Sequence, residues 1–153
     1  MNLVYVLPLR HHTIQGICNP KHLDTYTIEL ETPTEGVWSG PATFVTVANA
    51  NQWGNMARIA PMASLRDGLL DVVVVHPFSA LEIPDLATRL MVGKAHTSRR
   101  FLHFAASKVH ITRTKPGAAH CDGDAFEAGT EFDLEVMPGA LQVMVARTKG
   151  ENI

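Results

Sequence analysis

Two aspartates on either side of one glycine, Asp122 and Asp124, lie in the segment AAHCDGDAFEAG, residues 118–129. Carboxylates this close together in a polar turn can bind a cation, accept a proton from a substrate, or simply keep a loop soluble. All three roles use the same residue types. The segment therefore identifies candidate residues without choosing among the roles.

A calcium-binding loop is the first alternative to consider, because Asp122 and Asp124 match its first and third ligands. The residues that follow argue against such a loop. Phe126 stands at the fifth position, Glu127 replaces the glycine of the sharp turn, and Asp133 replaces the bidentate glutamate at the twelfth.

A second acidic turn, SLRDGLLD at residues 64–71, follows a segment that is dense in turn-forming residues. Taken alone, the pair Asp67 and Gly68 is typical of a tight turn before a buried strand, and the longer segment is typical of a surface connection. Asp71 lies inside the apolar run that follows. We expect its carboxylate to have a partner or to lie at an edge, rather than to bind a metal.

The composition predicts one soluble domain. The chain has 153 residues, of which 46% are hydrophobic, and this suffices for one sizeable core but not for two domains. A formal charge of −2 provides no basic excess of the kind that nucleic-acid binders carry, so we expect no nucleic-acid partner. No stretch reaches the roughly 20 apolar residues of a membrane span.

Two further features predict a cytoplasmic location. The start of the chain, MNLVYVLPLR, lacks the basic leader and the small-residue cleavage site of a signal peptide. The two cysteines, Cys18 and Cys121, are far apart and match no zinc spacing, so we expect reduced thiols and no disulfide framework.

Short segments with strand character dominate the chain. Residues 23–31, LDTYTIELE, alternate apolar and polar side chains, which is typical of a half-buried strand. GPATFVTVANA and LLDVVVVHP are continuous apolar runs, which predict central strands buried on both faces. KVHITRT, EFDLEVMP and ALQVMVAR add three more short strands, separated by glycine and proline turns.

One segment has helical rather than strand spacing. SALEIPDLATRLMVG predicts a helix over residues 79–92, with Ser79 as its N-cap and Gly93 as its stop. Pro84 fits only in a first turn or between two short helices. We therefore predict a mainly β fold: a two-sheet, mostly antiparallel β-sandwich with one short helical segment.

Four segments, taken together and in order, resemble the C-terminal half of the bacterial diacylglycerol kinase and sphingosine kinase superfamily of lipid kinases. They are ANANQWGNMARIAPMASLRDGLLDVVVV, VGKAH, HCDGDAF and MPGALQVMV, within residues 45–145. In that family, an asparagine-bearing strand leads through a YGNN or GGGM loop to IAP.A...DGLLDV, followed by a GKH turn, a DGE and a closing P.AL.V strand. Each motif is weak alone, but four in the same order make a specific signal.

The resemblance implies a domain organisation. Members of the superfamily carry an N-terminal nucleotide-binding half with a GGDGT signature, which does not occur in these 153 residues. We therefore expect residues 23–153 to be the C-terminal β-sandwich domain of an ATP-dependent lipid kinase, and residues 1–22 to be a linker helix or interdomain segment. The partner would be the N-terminal kinase domain of the same polypeptide, and the isolated chain would be inactive.

The resemblance also implies roles for the two acidic turns. Asp124 would stand where the family has its proton-accepting glutamate, one methylene longer, and Asp122 would help to organise magnesium and phosphate. In the second turn, a structural Mg²⁺ would be bound by the carboxylate of Asp67 and the backbone carbonyls of Ser64 and Leu69. ATP would bind mainly to the absent N-terminal domain.

Several alternatives remain open. The basic residues of GKAHTSRRFLH could approach a phosphate group, contact an anionic membrane peripherally, or simply form a solvated face. A homodimer is compatible with the sequence. The rival functions are a non-catalytic lipid-binding or regulatory sandwich, and half of an NAD kinase-like enzyme that phosphorylates a soluble nucleotide. The sequence does not specify which lipid is the substrate.

Overall fold

The computed structural model describes residues 4–7, 24–33, 36–52, 57–121 and 124–140. Asp122, most of the segment 1–22 and most of the strand predicted in ALQVMVAR lie outside these ranges. Nine strands are present in the described chain. They are β1 (Val4–Leu7), β2 (Asp24–Pro33), β3 (Gly36–Ala42), β4 (Phe44–Ala48), β5 (Leu70–Val75), β6 (Phe101–Arg113), β7 (Gly117–Cys121), β8 (Asp124–Ala128) and β9 (Glu131–Glu135).

All strand pairings are antiparallel, as the sequence predicts. The hydrogen-bonded order is β3-β2-β6-β5-β4-β1-β7-β8, and β9 also pairs with β6. The first part of β6 pairs with β5, and its last part pairs with both β2 and β9. The two layers of the sandwich are therefore joined through β6.

The main core lies between these layers. β2, β3 and β9 contribute side chains from one layer, and β4, β5 and β7 contribute side chains from the other. Burial of this much apolar surface is the main source of stability in a domain of this size. The largest fully buried members include Tyr26, Ile28, Val45, Val72, Val74, Val109 and Ile111.

Strand β5 is buried on both faces, which confirms its predicted central position. Val72 and Val74 face the main core, whereas Val73 and Val75 belong to a second apolar cluster on the opposite face. Ile59 and Ala60, from the connection between β4 and β5, cover that opposite face. The long segment rich in turn formers is therefore partly packed onto the sheet rather than wholly exposed.

The predicted helical segment is confirmed, with two parts. A 3₁₀ turn (Ala80–Glu82) leads directly into helix α1 (Ile83–Met91), which places Pro84 in the first turn, where no helical N–H is lost. The backbone N–H of Ser79 donates to the Glu82 carboxylate at 2.8 Å. Gly93 has a φ of +71°, as expected at a helix end. A second 3₁₀ turn (Ala95–Thr97) follows.

Residues Val4–Leu7 form strand β1 and not the linker helix considered for residues 1–22. β1 lies between β4 and β7 in the sheet, with Val6 opposite both Thr46 and His120. The β-branched and aromatic residues of VYVL favour a strand, and this segment pairs on both sides, with β4 and with β7. The division of the chain at residue 22 stays a prediction.

Arg113, the last residue of β6, holds the base of the β7–β8 hairpin. Its side chain is almost completely buried, with 5% exposure, and donates to the carbonyl oxygens of Gly117 (2.7 Å), Ala118 (3.2 Å), Ala128 (2.8 Å) and Gly129 (2.9 Å). The guanidinium also lies 5.2 Å from the centre of the Phe132 ring. Five donors in a rigid plane suit such a set of carbonyls.

We predict that Arg113→Met destabilises the domain by at least about 3 kcal/mol, since each hydrogen bond from a charged group contributes about 1.5–3 kcal/mol. Amide protection should fall most in β7 and β8, because the substitution removes the donors at their base. Urea denaturation and hydrogen exchange measure the two effects. Arg66→Met, at an exposed position, is the control. Unchanged protection of β7 and β8 would contradict the assigned role.

Candidate functional site

The acidic segment, residues 118–129, forms part of the β7–β8 hairpin. β7 ends at Cys121 and β8 begins at Asp124, and these two residues lie directly opposite each other. Asp124 is exposed. Asp122 lies outside the described residues, between two strands that the structure does describe. The hairpin therefore presents Asp124 to solvent at the end of a paired strand.

Within the described ranges, the Asp124 carboxylate has no ion-pair partner. Phe126 lies two residues further along β8, on the same face, and is partly exposed. A carboxylate without a neighbouring cation, on a hairpin whose base is fixed by Arg113, is available to accept a proton or to contribute to cation binding.

The second acidic turn, residues 64–69, is held by two hydrogen bonds from backbone to side chain. The N–H of Leu69 donates to Asp67 Oδ1 at 3.0 Å, and the N–H of Arg66 donates to Ser64 Oγ at 3.2 Å. Gly68 has a φ of +71°, a conformation that glycine adopts without strain. The turn therefore has a defined conformation and exposes Asp67 immediately before the buried strand β5.

The strand register shows where the two turns lie relative to each other. One row of paired residues runs from Val72 through Val47, Tyr5 and Cys121 to Asp124. Asp124 is thus four strands away from β5, about 19 Å along the sheet at ~4.8 Å per strand. The Asp67 turn precedes β5 at the same end of these strands. Both acidic turns therefore lie along one edge, here called the acidic edge, but they do not form a single compact site.

Asp71 has the partner that its place in an apolar run predicts. Its side chain is almost fully buried, and Oδ1 lies 2.6 Å from His103 Nε2 on the neighbouring strand β6. The pair satisfies a carboxylate that burial would otherwise destabilise. Neither residue is therefore available as a ligand in the way that an unpaired side chain would be.

The basic residues of GKAHTSRRFLH fall into two groups in the structure, those held by contacts and those that are exposed without such contacts among the described residues. Arg100 binds Glu82 through two bonds, at 2.8 and 3.1 Å, and also donates to the carbonyl of Pro77. The hydrogen bonds from Arg100 and Ser79 lower the pKa of Glu82 to about 2. Arg100 and His103 are thus structural contacts, whereas Lys94, His96 and Arg99 are exposed.

A cluster of metal-binding side chains is not present in the described part of the chain. Nowhere in these ranges do three His, Cys, Asp or Glu side chains come together in a way that could hold an ion. A cation at the Asp67 turn would therefore need backbone carbonyls and water in addition to one carboxylate. Among the described helices, none is long and apolar enough to cross a bilayer.

Arg113 is the residue that reasoning from the sequence missed. The signal was present in KVHITRT, where Val109, Ile111 and Arg113 share one face by strand alternation. An arginine that continues an apolar face is expected to have buried hydrogen-bond partners. The segment that supplies those partners, residues 117–129, however, has the sequence of a polar loop.

Comparison with known proteins identifies relatives of the whole domain. Over 134 residues the chain is 23% identical to a probable lipid kinase YegS-like of Shewanella frigidimarina, and over 133 residues it is 25% identical to one of Stenotrophomonas maltophilia. These matches cover 88% and 86% of this chain. The chain spans only 42% of the length of either relative.

Solved structures show the same fold. A putative diacylglycerol kinase from Bacillus anthracis superimposes with a TM-score of 0.61 at 13% identity, covering 92% of this chain and 57% of that one. A second structure of this description gives 0.59 at 15% identity, with 92% and 58% covered. Residues 21–145 match the family described as the YegS C-terminal NAD kinase beta sandwich-like domain. The chain belongs to this family.

Proposed function

We propose that the chain is the C-terminal, substrate-binding half of an ATP-dependent lipid kinase that phosphorylates a hydroxyl of a diacylglycerol-type or sphingosine-type lipid. The proposal is supported above all by Asp124, which is exposed at the turn of the β7–β8 hairpin and whose carboxylate has no ion-pair partner among the described residues. The relatives named lipid kinases, of which the chain spans 42%, support a second, nucleotide-binding half in the complete enzyme.

In the proposed reaction, Asp124 acts as general base. Its carboxylate accepts the proton of the lipid hydroxyl as the hydroxyl oxygen forms a bond to the γ-phosphorus of ATP. The bond between that phosphorus and the bridging oxygen breaks, and ADP leaves. An aspartate reaches less far than a glutamate, so the lipid hydroxyl must approach the hairpin closely or transfer its proton through one water.

The Asp67 turn is proposed as a magnesium site. Its candidate donors are the carboxylate of Asp67 and the backbone carbonyls of Ser64 and Leu69, all oxygen atoms, which suit a small hard cation. Two hydrogen bonds already hold the turn in one conformation, which agrees with a structural rather than a catalytic ion. Asp122 is proposed to assist Asp124 by organising a second magnesium and the phosphates. Magnesium would offset phosphate charge during transfer.

The isolated 153-residue chain is proposed to be inactive. A kinase needs a site that cradles the ATP phosphates with backbone N–H groups, and the GGDGT signature that accompanies such a site does not occur in this sequence. Activity is therefore expected only in a two-domain protein that joins this domain to a nucleotide-binding half.

We predict that Asp124→Asn in such a two-domain protein lowers kcat by about 10²- to 10⁴-fold, the usual effect of losing a positioned general base. The melting temperature should change little, because the carboxylate is exposed and no described residue forms an ion pair with it. Turnover is measured with diacylglycerol and sphingosine, and the isolated chain provides the baseline.

Glu127→Gln is the matched control, because Glu127 is another exposed carboxylate of β8 on the opposite face. It should retain near-normal turnover. If Asp124→Asn also retains it, Asp124 is not the base. If the unmodified two-domain protein phosphorylates neither lipid but phosphorylates NAD, the lipid kinase proposal itself is wrong.

We predict that Asp67→Asn mainly affects the stability of the domain and only secondarily its turnover, the reverse of Asp124→Asn. The variant should lose the rise in melting temperature that millimolar Mg²⁺ gives the unmodified domain, because a ligand stabilises only the folded state that binds it. Turnover should fall only secondarily. Thermal unfolding with Mg²⁺ and with a chelator measures the effect on the isolated chain, and Glu127→Gln, at another exposed carboxylate, serves as control. The absence of any Mg²⁺ dependence in the unmodified chain would contradict a magnesium site at this turn.

A further inference from the structure

Two segments of the chain carry a concentrated positive charge. Residues 57–66 and 89–100 together contain six of the thirteen Lys and Arg residues. All fifteen Asp and Glu residues lie outside these two segments, in a chain whose net charge is −2. The charge of the molecule is therefore strongly asymmetric along the sequence.

Four of these six cations are not neutralised by ion pairs. Arg89 binds Asp85 at 2.8 Å, and Arg100 binds Glu82. No ion pair involves the other four among the residues that the structure describes, and Arg58, Arg66, Lys94 and Arg99 are all exposed. Exposed cations of this kind create a positive potential that extends about 8–10 Å at physiological ionic strength.

The two segments lie against each other in the fold. The backbone N–H of Arg58 donates to the carbonyl of Leu90 at 2.9 Å. The Arg58 side chain passes so close to Gly93 that a Cβ there would lie 3.1 Å from Arg58 Cδ. Ile59 and Leu90 share the apolar cluster beneath. One cation from each segment, Arg58 and Lys94, therefore lies at or directly next to this contact.

Large apolar side chains are exposed among these cations. Met62 and Leu65 of the first segment and Met91 and Val92 of the second are each more than half exposed. Leaving four such side chains in water is unfavourable relative to burial, at about 25 cal/mol per Å². We call residues 57–66 together with residues 89–99 the basic apolar surface.

We propose that the basic apolar surface docks on an anionic phospholipid bilayer. Cations attract the negatively charged headgroups, and the exposed methionine, leucine and valine side chains insert at the boundary between headgroups and acyl chains. Nucleic acid would satisfy the cations but would leave the apolar side chains in water. A protein partner would need a dry apolar centre, which cations interspersed with the apolar residues do not provide.

This inference goes beyond the proposed kinase function and is independent of phosphoryl transfer. Vesicle binding can be measured on the 153-residue chain without ATP or a lipid substrate. If the chain binds vesicles but the two-domain protein is not a lipid kinase, the docking surface stands. If turnover is found but vesicle binding is not, the kinase proposal stands and the docking surface is wrong.

The test uses sedimentation with two kinds of vesicle, one of phosphatidylcholine alone and one of equal parts phosphatidylcholine and phosphatidylglycerol. The unmodified chain should bind the anionic vesicles more tightly, and added salt should weaken the binding. Met91→Gln combined with Lys94→Gln should lower the partition coefficient at least about fivefold, since one cation near an anionic surface contributes ~1 kcal/mol.

Met137→Gln combined with Lys115→Gln is the matched control. It makes the same two substitutions at exposed positions outside the basic apolar surface, beyond the ends of β9 and β6. Both variants change the net charge equally, and circular dichroism checks that both remain folded. Equal losses in the two variants would overturn the proposal, as would equal binding of the unmodified chain to neutral and anionic vesicles.

Discussion

Backbone hydrogen bonding along β6 is the constraint on which the rest of the structure depends. This strand of 13 residues is the only described one that pairs with three others, β2, β5 and β9. A shift of one residue in its register would turn Val109 and Ile111 out of the core and would turn His103 away from Asp71. Both layers of the sandwich, and the hydrogen bond between Asp71 and His103 that joins β5 to β6, therefore require one register of β6.

The same strand connects the core to the acidic hairpin. Strand alternation that places Val109 and Ile111 in the core also places Arg113 there, at the end of β6. Its planar guanidinium then binds four carbonyl oxygens at the base of the β7–β8 hairpin. Arg113 thus fixes the buried base of the hairpin that carries Asp124, and the pairing of β8 with β7 places Asp124 itself opposite Cys121.

The sequence predicts the elements whose pattern is strong over their whole length. β2 has strict alternation, β5 has a continuous apolar run, and α1 has helical spacing between a cap and a glycine, so each is found where it was expected. β3 was missed because Gly36, Gly40 and Pro41 weaken its strand pattern. The first half of β6 was missed because the basic residues Arg99, Arg100 and His103 suggested a solvated face or a contact with anions.

The candidate site, like the fold, could be predicted from the sequence only in part. Motifs identify Asp124 and Asp67 as candidate residues because their local sequences are distinctive. Their separation of about four strands follows only from pairings between β4, β1 and β7, which join residues distant in sequence. The partner of Asp71 could not be named for the same reason, since His103 is 32 residues away and is selected by register alone.

One connection, residues 57–69, links the proposed functions physically. Its buried members, Ile59 and Ala60, attach it to the outer face of β5, so its exposed members have a fixed orientation relative to the sheet. Its first part supplies Met62 and Leu65 to the basic apolar surface, and its last part supplies Asp67 to the acidic edge. A bilayer bound at the first part would bring headgroups near the second. The repulsion between anionic headgroups and the carboxylates of that edge would be reduced by a cation at the Asp67 turn. Magnesium binding and membrane docking are therefore expected to favour each other through this connection.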